Sequence, residues 1–548
     1  MNNKILLAAV FEESASFQFE ELGICSIASF LRAHGYEVML MEVSEERMDY
    51  NRIRTYGPGI VGVTVYNGNK DAVYRFCRRV RKEMPGVPIC AGGYFATYCT
   101  REMMREAPCV DFIIRGEGEL PFLELVKRLE SSRDLSGIKG LVYRKGGEIA
   151  VNEEREFIKD LNSLPFPGRD IFHANRLTFT LVSTSRGCTG NCSFCVARDF
   201  WKKWRGRDIP VVLEEIKGLY GQGIRFINFI DNTFEDPGPD CTRLKTLARG
   251  IIEQGLEIAY SADFRAEFHR KANDELMDLL KRSGLRAAMV GIEAGNEADL
   301  RLYGKRATLD DNHKIINYFR NHGMFVKIGF MNFNPYSSFE KLKENIDYLE
   351  TYRFATDFEI VISRYNAYPG PRLYDKVKAD GLLLGESGGD GKNIYGYDFL
   401  DRRITSFFDY ISGYFNLLDS YGDCLNIVVF YQRLYPMILC NFKVNFENNP
   451  VHARAYEVVA EHEKKIEAIF KGLNRSIAQW FRQLLDLCEE GWDSKKAGEI
   501  TAHRLSHNYF RGIAADLEKE KGRFFFKFMP LGQEYQSLLL KTLNVVSG

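Results

Sequence analysis

Three cysteines that lie close together are the residues of this sequence best suited to chemistry. They are Cys188, Cys192 and Cys195, with three and then two residues between them. Spacings this short let one loop turn three sulfur atoms toward a single point, and thiolates suit both iron–sulfur clusters and zinc. A structural zinc site needs a fourth ligand, and no further Cys or His lies beside the triplet. The pattern predicts a metal centre and favours an iron–sulfur cluster.

The triplet follows directly on a predicted strand, so the three thiols should lie at the carboxyl end of that strand. From residue 178 to about 380, apolar strands alternate with helices, which is typical of a barrel whose active site lies at the carboxyl ends of its strands. Six βα units predict a complete or partial barrel. The predicted strands are 179–183, 226–230, 258–261, 287–291, 325–330 and 358–362.

The segment before the barrel, residues 1–131, predicts a separate α/β domain with a parallel sheet covered on both faces. Glycine-rich turns follow its fourth and fifth strands, and the order resembles a flavodoxin-like (Rossmann-type) domain, where ligands lie beyond the carboxyl ends of the strands. The predicted strands are 5–10, 37–41, 59–65, 87–91 and 110–114. Residues 132–177 are predicted as a linker with a hairpin at Gly146–Gly147. Residues 381–548 are predicted as a mainly helical C-terminal domain, with apolar faces at 466–473 and 481–488.

The cysteine triplet, with an aromatic residue before its last cysteine, resembles the motif of the radical S-adenosylmethionine (SAM) enzymes. Segments 229–234, 262–265, 291–295 and 368–374 resemble later parts of the same family pattern. The resemblance implies a 4Fe–4S cluster on three cysteines, whose open iron binds SAM for reductive cleavage to a radical. Asn232 replaces the second acid of the usual pair. The residues implied to contact SAM are Phe194, Asp231, Arg265, Gly291 and Glu293.

A flavodoxin-like domain placed before such a barrel resembles the cobalamin-binding domain of the cobalamin-dependent radical SAM enzymes. The D-x-H-x-x-G signature that supplies a histidine to cobalt is missing, since residues 11–18 contain no His. Cobalamin is nevertheless the expected ligand, because relatives without this histidine are known in the family. The residues implied to contact cobalamin are Thr64, Tyr66, Asn67, Gly92, Gly93, Tyr94, Thr97, Gly116, Glu117 and Glu119, with Tyr66 or Asn67 expected under the corrin.

Three further cysteines in the first domain, Cys90, Cys99 and Cys109, raise the alternative of a second cluster, as in methylthiotransferases acting on tRNA. Their spacing is wide and Cys90 lies within a predicted strand. Buried thiols are the preferred interpretation.

The resemblance favours a cobalamin-dependent radical SAM methyltransferase that methylates an unactivated carbon of a natural-product, peptide or lipid intermediate. An enzyme with the same cofactors that ends in cyclisation, ring contraction or oxidation is the first alternative. A cobalamin- or redox-sensing protein with a structural cluster is the second. The motifs name no further catalytic residue. An external electron donor such as flavodoxin or ferredoxin is the expected partner.

The composition limits the class of protein but indicates no particular binding partner. Acidic and basic residues balance at 74 each, so no overall field favours nucleic acid or an anionic membrane. Lys519 to Lys527 mixes basic and aromatic residues, but a half-buried strand or helix end is the preferred interpretation of that stretch. No segment is long and apolar enough to span a bilayer, and the protein is expected in the cytoplasm, with its 12 cysteines mostly reduced.

Overall fold

The computed structural model describes residues 2–11, 21–44, 48–131, 134–170, 179–235, 237–384, 396–418, 423–434 and 453–531. Within these residues the chain forms two α/β units followed by a helical region. The predicted fold class is confirmed.

The N-terminal sheet runs in the order β2-β1-β3-β4-β5-β6-β7. The first five strands pair in parallel, which gives the flavodoxin-like order 2-1-3-4-5. Separate apolar clusters cover its two faces, and for this reason β1 is buried along nearly its whole length. The strands are β1 Lys4–Val10, β2 Glu37–Val43, β3 Ile60–Thr64, β4 Ile89–Gly92, β5 Phe112–Ile114, β6 Leu141–Lys145 and β7 Glu148–Val151. The helices are α1 Leu22–Ala33, α2 Tyr50–Tyr56, α3 Lys70–Glu83, α4 Tyr94–Tyr98, α5 Thr100–Glu106 and α6 Glu119–Glu130.

The hairpin predicted at Gly146–Gly147 is present as β6 and β7. Strand β6 pairs antiparallel with β5, so the hairpin extends the N-terminal sheet. Both glycines have positive φ angles, 60° and 87°, as a tight hairpin turn requires.

The second sheet contains five parallel strands in the order β14-β13-β12-β11-β8. Its strands are β8 Phe179–Val182, β11 Phe226–Phe229, β12 Ala259–Arg265, β13 Leu285–Glu293 and β14 Phe325–Phe330, with a short antiparallel pair, β9 Ser185–Arg186 and β10 Arg205–Gly206, beside them. The helices of this unit are α7 Val196–Trp201, α8 Ile209–Gly221, α9 Thr242–Glu253, α10 Asp274–Ser283, α11 Glu297–Leu302, α12 Leu309–Asn321, α13 Phe339–Thr351, α14 Phe358–Val361 and α15 Arg372–Ala379.

The prediction of a sixth barrel strand at 358–362 is wrong. The segment forms the short helix α14, whose first turn is capped by the Asp357 side chain accepting from the Glu359 backbone N–H at 3.2 Å. The sixth strand position is instead a single parallel bridge between Phe333 and Arg364. A short apolar run fits a strand or a helix equally well. Here the Asp357 cap favours the helix.

The C-terminal region is helical, as predicted, and its long helix packs on the outside of the barrel. Both predicted apolar faces lie on this helix, and Phe481, Leu484, Leu485 and Cys488 are buried. Residues 519–527 belong to the last helix. The helices are α16 Arg403–Leu418, α17 Asp423–Val429, α18 Ala453–Glu490, α19 Ser494–Arg504 and α20 His507–Phe528. Among the described residues, no helix is long and apolar enough to cross a bilayer.

Candidate active site

The three cysteines lie on the loop between β9 and α7, beyond the carboxyl end of β8. Ser193, inside this loop, donates from its backbone N–H to the Tyr303 carbonyl at 2.8 Å and from its hydroxyl to the Leu302 carbonyl at 2.7 Å. Its own carbonyl accepts from the Leu373 N–H at 2.8 Å. The segments after β13 and at the start of α15 therefore fix the cysteine loop.

The exposure of the triplet separates it from the other cysteines. Cys188, Cys192 and Cys195 are partly exposed, whereas all other cysteines whose placement is described are buried. Burial raises the pKa of the Cys192 thiol to about 11, while the charges of Lys305 and Arg265 lower it. Binding a metal through Cys192 would therefore release a proton from its thiol. Three accessible sulfurs on one anchored loop fit a cluster with one iron left open.

Arg265, at the end of β12, lies beside this loop. Its Nη1 donates to the Thr189 hydroxyl at 3.3 Å, and its guanidinium pairs with the Glu267 carboxylate. A Cβ on Gly190 would lie 3.1 Å from the Arg265 Nη1 and 3.3 Å from the Cys188 Sγ, so a larger residue there would press on both side chains. The predicted role of Arg265 toward the SAM carboxylate is compatible with its position next to a cluster ligand.

Glu293 ends β13 in the left-handed region at φ 69°, an uncommon conformation for a residue other than glycine. Burial raises the pKa of its carboxyl group, and Lys305 lowers it from 3.8 Å away. Gly291 makes room for this carboxylate, because a Cβ there would lie 2.7 Å from the Glu293 Oε1.

Lys305 was not singled out from the sequence. Its ammonium group donates to the Gly291 carbonyl at 2.8 Å and faces both Glu293 and Cys192. No local motif marks it, because it reaches the site from the turn after α11.

Asp231 and Phe194, two residues implied to contact SAM, both make internal contacts. The buried Asp231 carboxylate accepts from the Thr184 N–H at 3.1 Å, from the Thr184 hydroxyl at 2.9 Å and from the Ser185 hydroxyl. It therefore holds the turn that leads into the cysteine loop. The Phe194 ring packs edge-on against Tyr303, with centroids 5.5 Å apart.

A cavity of about 220 Å³ lies between the N-terminal domain and the barrel. The N-terminal domain supplies residues after β3 and β4, while Val196 just past the cysteine triplet and Pro369 from the loop before α15 supply the opposite wall. The lining residues are Tyr66, Asn67, Gly68, Tyr94, Phe95, Tyr98, Cys99, Val196, Tyr368 and Pro369. Half of the lining residues are aromatic, and the cavity lies at the edge of the sheet where flavodoxin-like domains bind their ligands.

Three of the predicted cobalamin residues, Tyr66, Asn67 and Tyr94, line this cavity. Gly93 lies behind them at φ 96°, where a Cβ would approach the Val65 carbonyl to 2.8 Å and the Thr64 hydroxyl to 2.9 Å. The Thr97 hydroxyl donates to the Gly93 carbonyl at 2.8 Å and accepts from the Gly116 N–H at 3.1 Å, which joins the two glycine turns. Gly92 is the last residue of β4.

Beside the cavity, Tyr66 pairs with Glu21 at the start of α1. Burial raises the pKa of the Glu21 carboxyl to about 7, and its hydrogen bond with the Tyr66 hydroxyl lowers it. Residues 12–18, where the missing histidine would have been, lie outside the described residues.

Glu117 and Glu119, also implied to contact cobalamin, bind arginines of the second unit. Arg186 contacts Glu117 at 2.6 Å and Glu119 at 2.5 Å, and Arg205 contacts Glu117 at 3.0 Å. The sequence could not indicate these partners, because they come from another domain.

The predicted burial of Cys90, Cys99 and Cys109 is confirmed. Their exposed fractions are 2%, 5% and 7%. Among the described residues, no group of three or more His, Cys, Asp or Glu side chains converges closely enough to bind a single metal ion.

The fold and the site together define an enzyme class: a partial barrel with a three-thiol loop that faces the ligand edge of a flavodoxin-like domain. Residues 10–126 match the family described as B12 binding domain, and residues 182–349 match the radical SAM superfamily. The chain therefore belongs to the radical SAM enzymes that carry a B12 binding domain. Its cofactors are a 4Fe–4S cluster, SAM and cobalamin. Enzymes of this superfamily take small-molecule substrates and an external reductant.

Individual proteins similar to this chain differ in the reaction that they are named for. An uncharacterized methyltransferase of Pyrococcus horikoshii is 29% identical over 66% of this chain and 79% of that protein. The anaerobic magnesium-protoporphyrin IX monomethyl ester cyclase of Synechocystis is 26% identical over 56% of this chain and 63% of the cyclase.

Among solved structures, the cobalamin-dependent SAM radical enzyme OxsB, with aqua-cobalamin and SAM bound, superposes with a TM-score of 0.71 at 16% identity. The match covers 98% of this chain and 83% of OxsB. At this identity the likeness shows a common fold.

Proposed function

We propose that this enzyme transfers a methyl group to an unactivated carbon of a small molecule, with Cys188, Cys192 and Cys195 as the cluster ligands. The cavity between the two domains carries the proposal, because it brings the wall formed by Tyr66 and Tyr94 against the residue that follows Cys195. The methyltransferase name of the archaeal relative supports the same reaction. When bound, the cluster supplies the electron that cleaves SAM to a 5′-deoxyadenosyl radical, and cobalamin supplies the methyl group.

The protein's own side chains hold these groups and exclude water. Arg265 and Lys305 place positive charge beside the cysteine loop, where an amino-acid carboxylate is to bind. Glu293 offers a buried acceptor on the neighbouring strand for an amine or a hydroxyl group. The aromatic lining of the cavity presents an apolar surface that keeps water from a radical.

The proposal can be tested before the methyl acceptor is known. Cells that produce the enzyme are fed methionine with a deuterated methyl group, and their extracts are compared by mass spectrometry with extracts from cells producing Cys188→Ala. We expect at least one compound that carries the label on carbon in the first extract and is absent from the second. A Cys241→Ala variant, which lacks a buried thiol away from the triplet, should keep the labelled compound.

Cyclisation is the second candidate, because the Synechocystis relative is named as a cyclase. A product that depends on Cys188 but carries no label would contradict methyl transfer and favour cyclisation or oxidation. The purified enzyme should form 5′-deoxyadenosine from SAM in either case. If it forms none, both enzymatic functions are contradicted and a cofactor-sensing protein is favoured.

We also propose an electron donor and a cellular location for the enzyme. We expect flavodoxin or ferredoxin as the electron donor, because the cluster must be reduced before it can cleave SAM. We expect the reducing cytoplasm as the location, because reduced thiols are retained there. Incubation with each reduced carrier in place of a chemical reductant, followed by measurement of 5′-deoxyadenosine, tests the donor.

A further inference from the structure

Four charged side chains form a buried network between the two α/β domains, which we name the interdomain clamp: Glu117, Glu119, Arg186 and Arg205. Glu117 accepts from Arg186 at 2.6 Å and from Arg205 at 3.0 Å, while Glu119 accepts from Arg186 at 2.5 Å. The exposed side-chain fractions are 4% for both carboxylates, 17% for Arg186 and 12% for Arg205. Two positive and two negative charges balance, as a buried group of charges requires.

Neighbouring groups fix both carboxylates from the N-terminal side. Glu117 also accepts from the Ile158 backbone N–H at 2.8 Å, and Glu119 accepts from the Ser26 hydroxyl at 2.9 Å. Arg186 therefore donates from each of its two Nη atoms to a different carboxylate, and both carboxylates are held by other hydrogen bonds. The planar guanidinium fixes the direction of the two bonds as well as their length.

The clamp is connected to both ends of the cysteine loop. Arg186 precedes Cys188 by two residues. Trp201 ends the helix that begins just after Cys195, and the guanidinium groups of Arg186 and Arg205 lie 5.4 and 5.9 Å from its ring centre. The Trp201 indole N–H then donates to the Tyr94 hydroxyl at 3.2 Å, and Tyr94 lines the interdomain cavity.

We infer that the interdomain clamp consists of positioning residues that hold the cysteine loop at a fixed distance from the cobalamin cavity. Glu117 and Glu119 act through Arg186 and Trp201 and do not contact cobalamin themselves. This inference depends on the three cofactors of the enzyme and is independent of the methyl acceptor and of the reaction that follows SAM cleavage.

The test measures the separation of the two metal centres directly. The enzyme is reconstituted with iron, sulfide and hydroxocobalamin, and the cobalt is brought to cob(II)alamin. Samples with the cluster oxidised are then compared with samples poised electrochemically at a potential that reduces the cluster and retains the cob(II)alamin signal. A reduced cluster speeds the relaxation of a nearby cob(II)alamin spin, so the microwave power that half-saturates the cobalt signal reports their distance. The double variant Glu117→Gln/Glu119→Gln should lose at least half of this enhancement.

The control is Glu154→Gln, which removes the partner of Lys202, at 2.7 Å, in an exposed ion pair one residue past Trp201. Exposed pairs of this kind contribute little, so the control should match the wild type. Wild-type relaxation in a double variant with full cluster and cobalamin would overturn the inference. Selective loss of cobalamin would also overturn it, because the two carboxylates would then belong to the cobalamin site. If the double variant does not fold, Glu119→Gln alone replaces it, with the same two overturning results.

Discussion

Glu293 combines three features that rarely occur together in one residue. Its backbone is left-handed, its carboxyl group is buried, and Lys305 approaches it to 3.8 Å. Such strain persists only where the surroundings enforce it, and it is concentrated at functional sites. The conformation aims the carboxylate across Gly291 and toward the cysteine loop. We therefore propose that Glu293 contacts SAM, as the sequence resemblance implied.

A methyl group at Gly291 should displace this carboxylate. The new Cβ of Gly291→Ala would lie 2.7 Å from the Glu293 Oε1, whereas that of Gly329→Ala would lie no closer than 3.4 Å to the same side chain. We expect Gly291→Ala to raise the KM for SAM in 5′-deoxyadenosine formation about tenfold, which is about 1.4 kcal/mol. Gly329→Ala should change it much less. Equal effects of the two variants would contradict the assignment.

Glu235 should make the stability of the enzyme depend on pH. Burial raises the pKa of its carboxyl group from 4.5 to about 7. The unfolded chain therefore loses this proton first, and the folded state loses stability as the pH rises from about 4.5 to 7. Glu235→Gln should raise the free energy of unfolding at pH 8, by up to about 3 kcal/mol at about 1.4 kcal/mol per pKa unit.

Urea titrations of the reconstituted enzyme at pH 5 and pH 8 test this expectation. The gain from Glu235→Gln should be large at pH 8 and small at pH 5. Glu257→Gln, at an exposed position, should change neither value. A gain of the same size at both pH values would rule out the titration of Glu235 as its cause.

At the scale of elements, the long helix α18 (Ala453–Glu490) supports the barrel from outside. The buried Asn474 side chain accepts from the Ala355 N–H at 3.1 Å and donates to the Glu350 carbonyl at 2.9 Å. On the surface, Arg482 pairs with Asp347 and Glu350 of α13.

These two contacts should differ in strength. Asn474→Ala leaves a buried backbone N–H without its acceptor, so we expect a loss of about 1–3 kcal/mol in the free energy of unfolding. Arg482→Ala breaks two partly exposed ion pairs and should cost less than about 1 kcal/mol. Urea unfolding followed by circular dichroism measures both, and the reverse ranking would show that the helix is held mainly by surface charge.

The elements were predictable where periodicity is long or where glycine marks a turn. The five N-terminal strands, the hairpin at Gly146–Gly147 and the C-terminal helices follow from such patterns. Segment 358–362 is too short to carry a period, and the Asp357 cap makes it helical. The cysteine triplet was predictable because its ligands share one loop. Lys305 and the partners of Glu117 were not, because contacts over long sequence separations leave no local pattern.

At the scale of the whole molecule, two contacts between the domains flank the interdomain cavity. One is the interdomain clamp. The other is the loop before α15, where Gly370 lies against the Tyr98 ring so closely that a Cβ would come within 2.5 Å of it. Tyr98 and Pro369, next to this contact, both line the cavity.

Gly370→Ala should therefore separate the domains at the cavity. Gly370 also has φ 111°, so the control must carry similar backbone strain without the contact. Gly381→Ala meets this need, since Gly381 has φ 71° and no atom lies within 4 Å of the position that its Cβ would take. We expect Gly370→Ala to weaken cobalamin binding about tenfold or more, about 1.4 kcal/mol, in a fluorescence titration, and Gly381→Ala to leave it nearly unchanged. Equal weakening by the two variants would show that backbone strain alone causes the loss of binding.

The interdomain clamp also gives the chain an order of assembly on the ribosome. Arg186 is made 69 residues after Glu117, a delay of roughly 3–14 s at about 5–20 residues per second. The N-terminal sheet ends with β7 at Val151, so all its strands are synthesised before either arginine. Between the synthesis of Val151 and that of Arg186, all strands of the sheet have been made, whereas the positive partner of Glu117 and Glu119 has not. The cysteine loop is therefore positioned against an N-terminal domain whose strands were all made before it.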